Sequence, residues 1–194
     1  MNTATGALLI DLDGVLRRWP HVDTGLPPGV IEGVAFAPAL ADAVLTGAIT
    51  DADWRSAIVQ VLAEEYGPRP SAQAVEAWSQ FGVLDEDVVR LIRQVRERAP
   101  VWLATNATSR LPVDLAMLGL DRDFDGVVNS SAVGAAKPAE EFLHSAIALS
   151  GPVSLFVDDS EKHCSAAAAF GLPAHRFETA PGLQRALREA HLID

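Results

Sequence analysis

The chain has 194 residues, 49% of them apolar and 21% charged, which is material for one globular domain or a core with a modest insertion. Acidic residues outnumber basic ones 26 to 15, and a net charge of −11 repels nucleic acid and anionic membrane surfaces, so neither is an expected partner. The single cysteine, Cys164, excludes an internal disulfide framework, no apolar run is long enough for a spanning helix, and no signal-peptide pattern opens the sequence; the expected location is cytoplasmic.

In chain order, Ala7 to Ile10 is an apolar run that stops at Asp11-Leu12-Asp13-Gly14, as a buried strand does at a turn. Residues 19–84 carry no further strand of that kind and read as several helices. Within them proline and glycine cluster at residues 25–29, and Thr50-Asp51-Ala52-Asp53 opens a helix with acidic residues in its first turn. That helix spaces Trp54, Ile58 and Val61 along one face and stops at Gly67-Pro68; Ser71 to Phe81, with Val75 and Trp78, is a second one.

Beyond residue 84 strands and helices alternate. Helices are expected over 85–99 (apolar at Val88, Ile92 and Val95), 111–118, 138–149 (Phe142, Ile147, Leu149), 160–170 and 182–190. Short apolar strands are expected at 101–104, 126–128, 153–157 and 174–177. This alternation predicts a three-layer α/β/α fold with a parallel sheet covered on both faces. The boundaries follow: a core of residues 1–18 and 85–194, and an inserted helical subdomain of residues 19–84.

Four short motifs fall at the predicted C-terminal ends of these strands, where open parallel sheets bind ligands. They are Asp11-x-Asp13, then Thr105-Asn106 after Val101–Ala104, then Lys137 before a proline-started helix, then Asp158-Asp159 after Val153–Val157. Each taken alone has a bland reading as a turn, a cap or a solvated surface residue. Their common placement points instead to phosphoryl transfer. A carboxylate can attack phosphorus, and a second can protonate the leaving oxygen and then activate water. Clustered oxygens suit Mg²⁺, while a hydroxyl and a lysine can bind phosphate oxygens.

On these motifs the chain, from Ala7 to about Leu187, resembles the haloacid dehalogenase-like (HAD) hydrolase superfamily. The resemblance implies that Asp11 is the nucleophile and Asp13 the general acid and base. It implies that Thr105, Asn106 and Lys137 bind the phosphoryl group. It further implies that Asp11, the backbone carbonyl of Asp13, Asp158 and Asp159 hold Mg²⁺. The inserted helices look like a small C1 cap. Gly47-Ala48-Ile49-Thr50 with Trp54, together with Phe156 to Ser160, is most similar to the branch holding the phosphatase domain of soluble epoxide hydrolase and glucose-1-phosphatase-type enzymes.

The expected function is therefore a Mg²⁺-dependent phosphatase acting on a small phosphorylated metabolite of sugar-phosphate type, through an aspartyl-phosphate. A phosphosugar mutase, a 2-haloacid dehalogenase and a non-catalytic binding protein of the same fold stand as alternatives. Two departures from the family pattern are visible. Ser160 and His163 stand where relatives often carry asparagine, and Arg17, Arg18, Trp19 and His21 follow the first motif where small polar residues are common. One of these arginines or His21 is expected to touch substrate or set the cap hinge, while the four tryptophans and Cys164 are expected to pack as core.

Overall fold

The computed structural model describes residues 6–194. In chain order the elements are β1 (Ala7–Ile10), β2 (Arg17–Arg18), α1 (Val30–Ala35), α2 (Pro38–Leu45), α3 (Asp51–Tyr66), α4 (Pro68–Trp78), β3 (Val83–Leu84) and α5 (Glu86–Arg96). There follow β4 (Val101–Thr105), α6 (Leu111–Leu118), β5 (Gly126–Asn129), α7 (Ser130–Val133), α8 (Glu140–Ser150), β6 (Val153–Asp158), α9 (Glu161–Ala169), β7 (Ala174–Arg176) and α10 (Ala180–Glu189). Five strands form one parallel sheet in the order β5-β4-β1-β6-β7.

The period-two geometry of a strand explains the three layers. Along β1, Leu8 and Ile10 join the apolar cluster of α5, α6 and α10, whereas Leu9 joins the opposite cluster of α8 and α9. On β6, Leu155 and Val157 follow the first face and Phe156 the second. Because both faces are covered, β1 is wholly buried and its run is continuously apolar rather than alternating. Burying such a leucine or phenylalanine is worth about 1.5–3 kcal/mol, so these strands are held by packing on both sides. A three-layer α/β/α fold is what the alternating pattern leads one to expect.

Helices α1 to α4 gather round a separate cluster that includes Ile31, Val44, Trp54, Ile58, Leu62 and Val75. The α3 start is specified locally: Thr50 caps the Asp53 amide, and the Asp53 carboxylate accepts from the Thr50 amide. Two face assignments need correction. Val61 is exposed and Leu62 takes the buried place; on α8 Leu149 is exposed and Ala146 is buried. Helical phase drifts by a residue over several turns, so spacing alone does not separate neighbours. Helix α4 also starts at once at Pro68, because the chain turns at Gly67 (φ +83°) and proline suits a first helical turn.

A ribbon not foreseen in the sequence joins the two parts. The chain leaves the sheet through β2 and returns through β3, and these two pair antiparallel, Arg17 with Leu84 and Arg18 with Val83. Two-residue strands are too short to show a period. The ribbon sets the exit and entry of the helical segment side by side, directly after the Asp11–Gly14 turn.

Candidate active site

The strand order reverses at β1: the chain builds outward through β4 and β5, then through β6 and β7 on the other side. At such a reversal the connecting loops part and leave a crevice beyond the strand ends. Asp11 follows β1, Thr105 ends β4, Asp158 ends β6, and Lys137 enters from the loop before α8. All four are buried.

Lys137 holds the group together. Its Nζ lies 2.9 Å from Asp11 Oδ2 and 2.6 Å from Asp158 Oδ2, and it donates to the Ala104 carbonyl at 2.8 Å. The three N–H groups of an ammonium thus all have acceptors. Burial works against its charge, but the two carboxylates outweigh burial and raise its pKa. Burial also pushes the Asp11 carboxyl up to about 6, against the pull of Lys137. Asp158 responds oppositely: burial raises it, but bonds from His163 and Lys137 prevail and bring it to about 2. Similar depth thus produces opposite shifts, because Asp158 collects more donors.

His163 Nδ1 stands 3.0 and 3.1 Å from the two Asp158 oxygens, and the Ser160 amide donates to Asp158 Oδ1 at 2.9 Å. An ionised carboxylate only accepts, so Nδ1 must carry the imidazole proton in this pair. The histidine that stands here in place of asparagine is therefore a side chain that fixes Asp158. Asn106 is likewise bound to protein: its Oδ1 accepts from the Lys137 amide at 2.7 Å and its Nδ2 donates to the Lys137 carbonyl at 3.0 Å. Its side-chain amide thus clasps the Lys137 backbone at the edge of the crevice. The Thr105 hydroxyl is fully buried and finds no partner among the described residues. Leaving it so costs about 1–3 kcal/mol, a cost that an acceptor oxygen of a ligand would remove.

Asp13 sits half-open at the crevice wall. Arg17 grips it with Nε 2.6 Å from Oδ1 and Nη2 3.0 Å from Oδ2, and Trp19 Nε1 donates to Oδ1 at 3.0 Å. Arg17 is itself buried, reaches Asp114 at 2.9 Å, and lies 4.3 Å from the centre of the Trp19 ring. Arg18 is exposed and pairs with Asp85, away from the crevice. His21 lines the cavity next to the site.

Asp159 turns its carboxylate over Gly14. A Cβ on Gly14, whose φ is +78°, would lie 2.1 Å from Asp159 Oδ2, so only glycine permits this approach. Metal-ligating atoms of Asp11, Asp158 and His163 lie within 4.8 Å of one another. Both Asp158 oxygens are already taken by Lys137 and His163, whereas the carboxylate of Asp159 is open. Partial desolvation, and then repulsion from Asp158, raises the pKa of Asp159. A crowd of hard oxygens around uncompensated charge fits a small dication such as Mg²⁺.

Above the site, a cavity of about 730 Å³ runs from Asp13 and Asn106 to the α1–α4 helices, with Phe36, Trp54 and Trp78 in its wall. Trp54 and Trp78 pack in the helical core as expected and also border this space; Trp19, half exposed, lines it without joining a core, and Trp102 lies on the sheet against Gly126. Asp114, Arg110, Asp51 and Phe36 also belong to the wall and were not singled out from the sequence. The Arg110-x-x-x-Asp114 spacing was a legible ion pair, but nothing local shows that it faces the crevice. Cys164 is buried as expected, its thiol raised by burial to about 11, well outside any nucleophilic range at neutral pH.

A parallel sheet with carboxylates and a lysine gathered at its reversal point defines an open α/β protein with its site at the strand ends. A family model of haloacid dehalogenase-like hydrolases matches residues 5–171, and the chain belongs to that family. No curated protein sequence matches it. Among solved structures it is similar to a HAD family enzyme from Bacteroides thetaiotaomicron, at 19% identity and TM-score 0.70 over 91% of this chain and 95% of that one. The wild-type form of that enzyme in complex with magnesium and inorganic phosphate gives 21% identity and TM-score 0.67, over 89% and 94%. The L-2-haloacid dehalogenase from Xanthobacter autotrophicus with chloropropionic acid covalently bound gives 18% and 0.62, over 97% and 84%. At these identities the likeness is one of fold. Among the described residues no helix is long and apolar enough to cross a membrane.

Proposed function

We propose that the chain is a Mg²⁺-dependent phosphatase that hydrolyses a small phosphorylated metabolite through a phosphoaspartate on Asp11. The observation that carries this reading is the buried, unpartnered Thr105 hydroxyl beside an ammonium shared by two carboxylates. A phosphoryl oxygen supplies the missing acceptor, and the proposed Mg²⁺ would offset the charge of the phosphoryl group beside the carboxylates.

Asp11, Asp159 and the Asp13 carbonyl are the proposed protein ligands of the ion, with Asp158 orienting Lys137 rather than binding directly. When bound, the ion screens the phosphoryl oxygens from the Asp11 carboxylate and withdraws charge from phosphorus. The Leu12 amide holds Asp11 Oδ1 at 2.8 Å, so the attacking carboxylate is fixed before substrate arrives. Asp11 forms a bond to phosphorus as the bond to the alcohol oxygen breaks, and Asp13 gives that oxygen a proton. Asp13 then takes a proton from water, which attacks phosphorus and frees Asp11. Of the four acceptor positions on Asp13, Arg17 and Trp19 fill three, which leaves Oδ2 one lone pair for this proton. Residues 19–84 are proposed as the cap that closes over the crevice and excludes water.

The test is phosphate release from a panel of phosphomonoesters with and without chelator, with intact-mass detection of a phosphoryl adduct on Asp11. Absence of hydrolysis across the panel in Mg²⁺ overturns the reading. The grip of Arg17 on Asp13 favours one rival, because displacing halide needs no acid there. Metal-independent chloride release from 2-chloropropionate would establish it.

A further inference from the structure

The cavity above Asp13 has a chemistry of its own. Phe36, Trp54 and Trp78 form a mutually packed trio, with ring centroids 6.3, 6.2 and 5.6 Å apart. Aliphatic groups of Leu26, Ile31 and Val44 extend the same wall. Several polar atoms beside these rings are turned onto protein partners. Trp54 Nε1 donates to the Ala35 carbonyl at 3.0 Å and Trp78 Nε1 to Glu32 at 2.9 Å. Trp19 Nε1 goes to Asp13, Arg55 pairs with Asp51, and Arg110 pairs with Asp114 and donates to the Ser79 carbonyl at 2.9 Å.

We propose that this cavity is the seat of the substrate's leaving group, and that it selects a flat, apolar phosphomonoester, an aryl or arylmethyl phosphate, over a sugar phosphate. The inference rests on the phosphatase reading above and names the substrate class of that site. A sugar entering here would surrender the hydration of its hydroxyls to an aromatic and aliphatic wall whose indole N–H groups are already engaged, and each unreplaced hydrogen bond opposes binding. A flat ring meets aromatic faces at the separations such rings favour and releases water from apolar surface. The volume of about 730 Å³ lies within the range of small-molecule sites and admits a fused ring system. This sets the sugar-phosphate expectation aside in favour of an aromatic substrate.

The decisive comparison uses leaving groups of matched reactivity. Naphthylmethyl phosphate and a hexose 6-phosphate both release a primary alkoxide, so a difference in kcat/KM reports the seat. The expected preference for the naphthylmethyl ester is about 100-fold or more. Phe36→Ala, at a half-exposed position, should cut that ratio about tenfold; should it fail to fold by circular dichroism, Trp78→Leu makes the same test. A second readout is free of catalysis. Naphthylmethylphosphonate should quench the emission of the cavity tryptophans, and the hexose phosphonate should not. Equal or better turnover of the hexose ester, or hydrolysis without quenching, overturns the seat. Quenching without hydrolysis of any ester overturns the phosphatase reading and leaves the apolar seat standing.

Discussion

Arg17 holds both oxygens of Asp13, with its Nε 2.6 Å from Oδ1 and its Nη2 3.0 Å from Oδ2, four residues along a turn that Gly14 permits. The same guanidinium reaches Asp114 on α6. A planar fork that matches a carboxylate fixes its orientation as well as its position. Lysine cannot reproduce that fork. Arg17→Lys should therefore lower kcat about 10- to 100-fold with KM changed little, as expected when a proton-transferring group is misplaced by a fraction of an ångström. Steady-state kinetics on an alkyl phosphate, whose leaving oxygen needs a proton, checks this; a KM effect with unchanged kcat would make Arg17 a substrate-binding residue instead.

Asp11→Asn preserves shape and removes the attacking anion. Turnover should fall by at least about three orders of magnitude. The fold should persist, since the substitution relieves repulsion from Asp158 and removes a charge that burial disfavours. Thermal melting and intact-mass spectra check both halves. Turnover within tenfold of the parent would remove Asp11 from the nucleophile's role.

The two carboxylates of the last motif should separate by assay. Asp159→Ala should weaken Mg²⁺ binding, measured by titration calorimetry, at least about tenfold with little loss of stability. Asp158→Ala should instead cost about 3–5 kcal/mol in denaturant unfolding, because it leaves the buried Lys137 ammonium short of a partner. Gly14→Ala should mimic Asp159→Ala in calorimetry, since the added carbon takes the space of the Asp159 carboxylate. Equal Mg²⁺ affinity in Gly14→Ala and the parent would place the ion elsewhere.

Thr108 donates to Asp51 Oδ1 at 2.7 Å, and the Asp51 amide donates to Ser109 Oγ at 3.0 Å, so the start of α3 is pinned to the loop after β4. Thr108→Val keeps volume and removes the first of these bonds. A part-buried hydrogen bond is worth about 0.5–1.5 kcal/mol, enough to shift the population of a closed form severalfold. KM should rise about 3- to 10-fold, and proteolysis within residues 19–84 should quicken while the parallel-sheet core resists. Unchanged KM and cleavage would show that this contact does not govern closure.

The sequence by itself determined the parallel sheet and the candidates at its strand ends. Period-two burial on two covered faces forces continuous apolar runs, and such runs, ended by Asp11, Thr105 and Asp158, are visible in one dimension. The helix start at Thr50 was legible too, because acidic residues in a first turn are a local signal. Tertiary structure alone decided which groups each side chain meets. Asn106 clasps the Lys137 backbone, His163 binds Asp158, and Arg17 binds Asp114 across 97 positions of sequence. It also made Trp54 and Trp78, core residues as expected, part of a cavity wall, because one helical face can both pack a neighbour and line a space. The sequence pattern records which face is apolar; only the placement of α1 to α4 over the strand ends determines what that face meets.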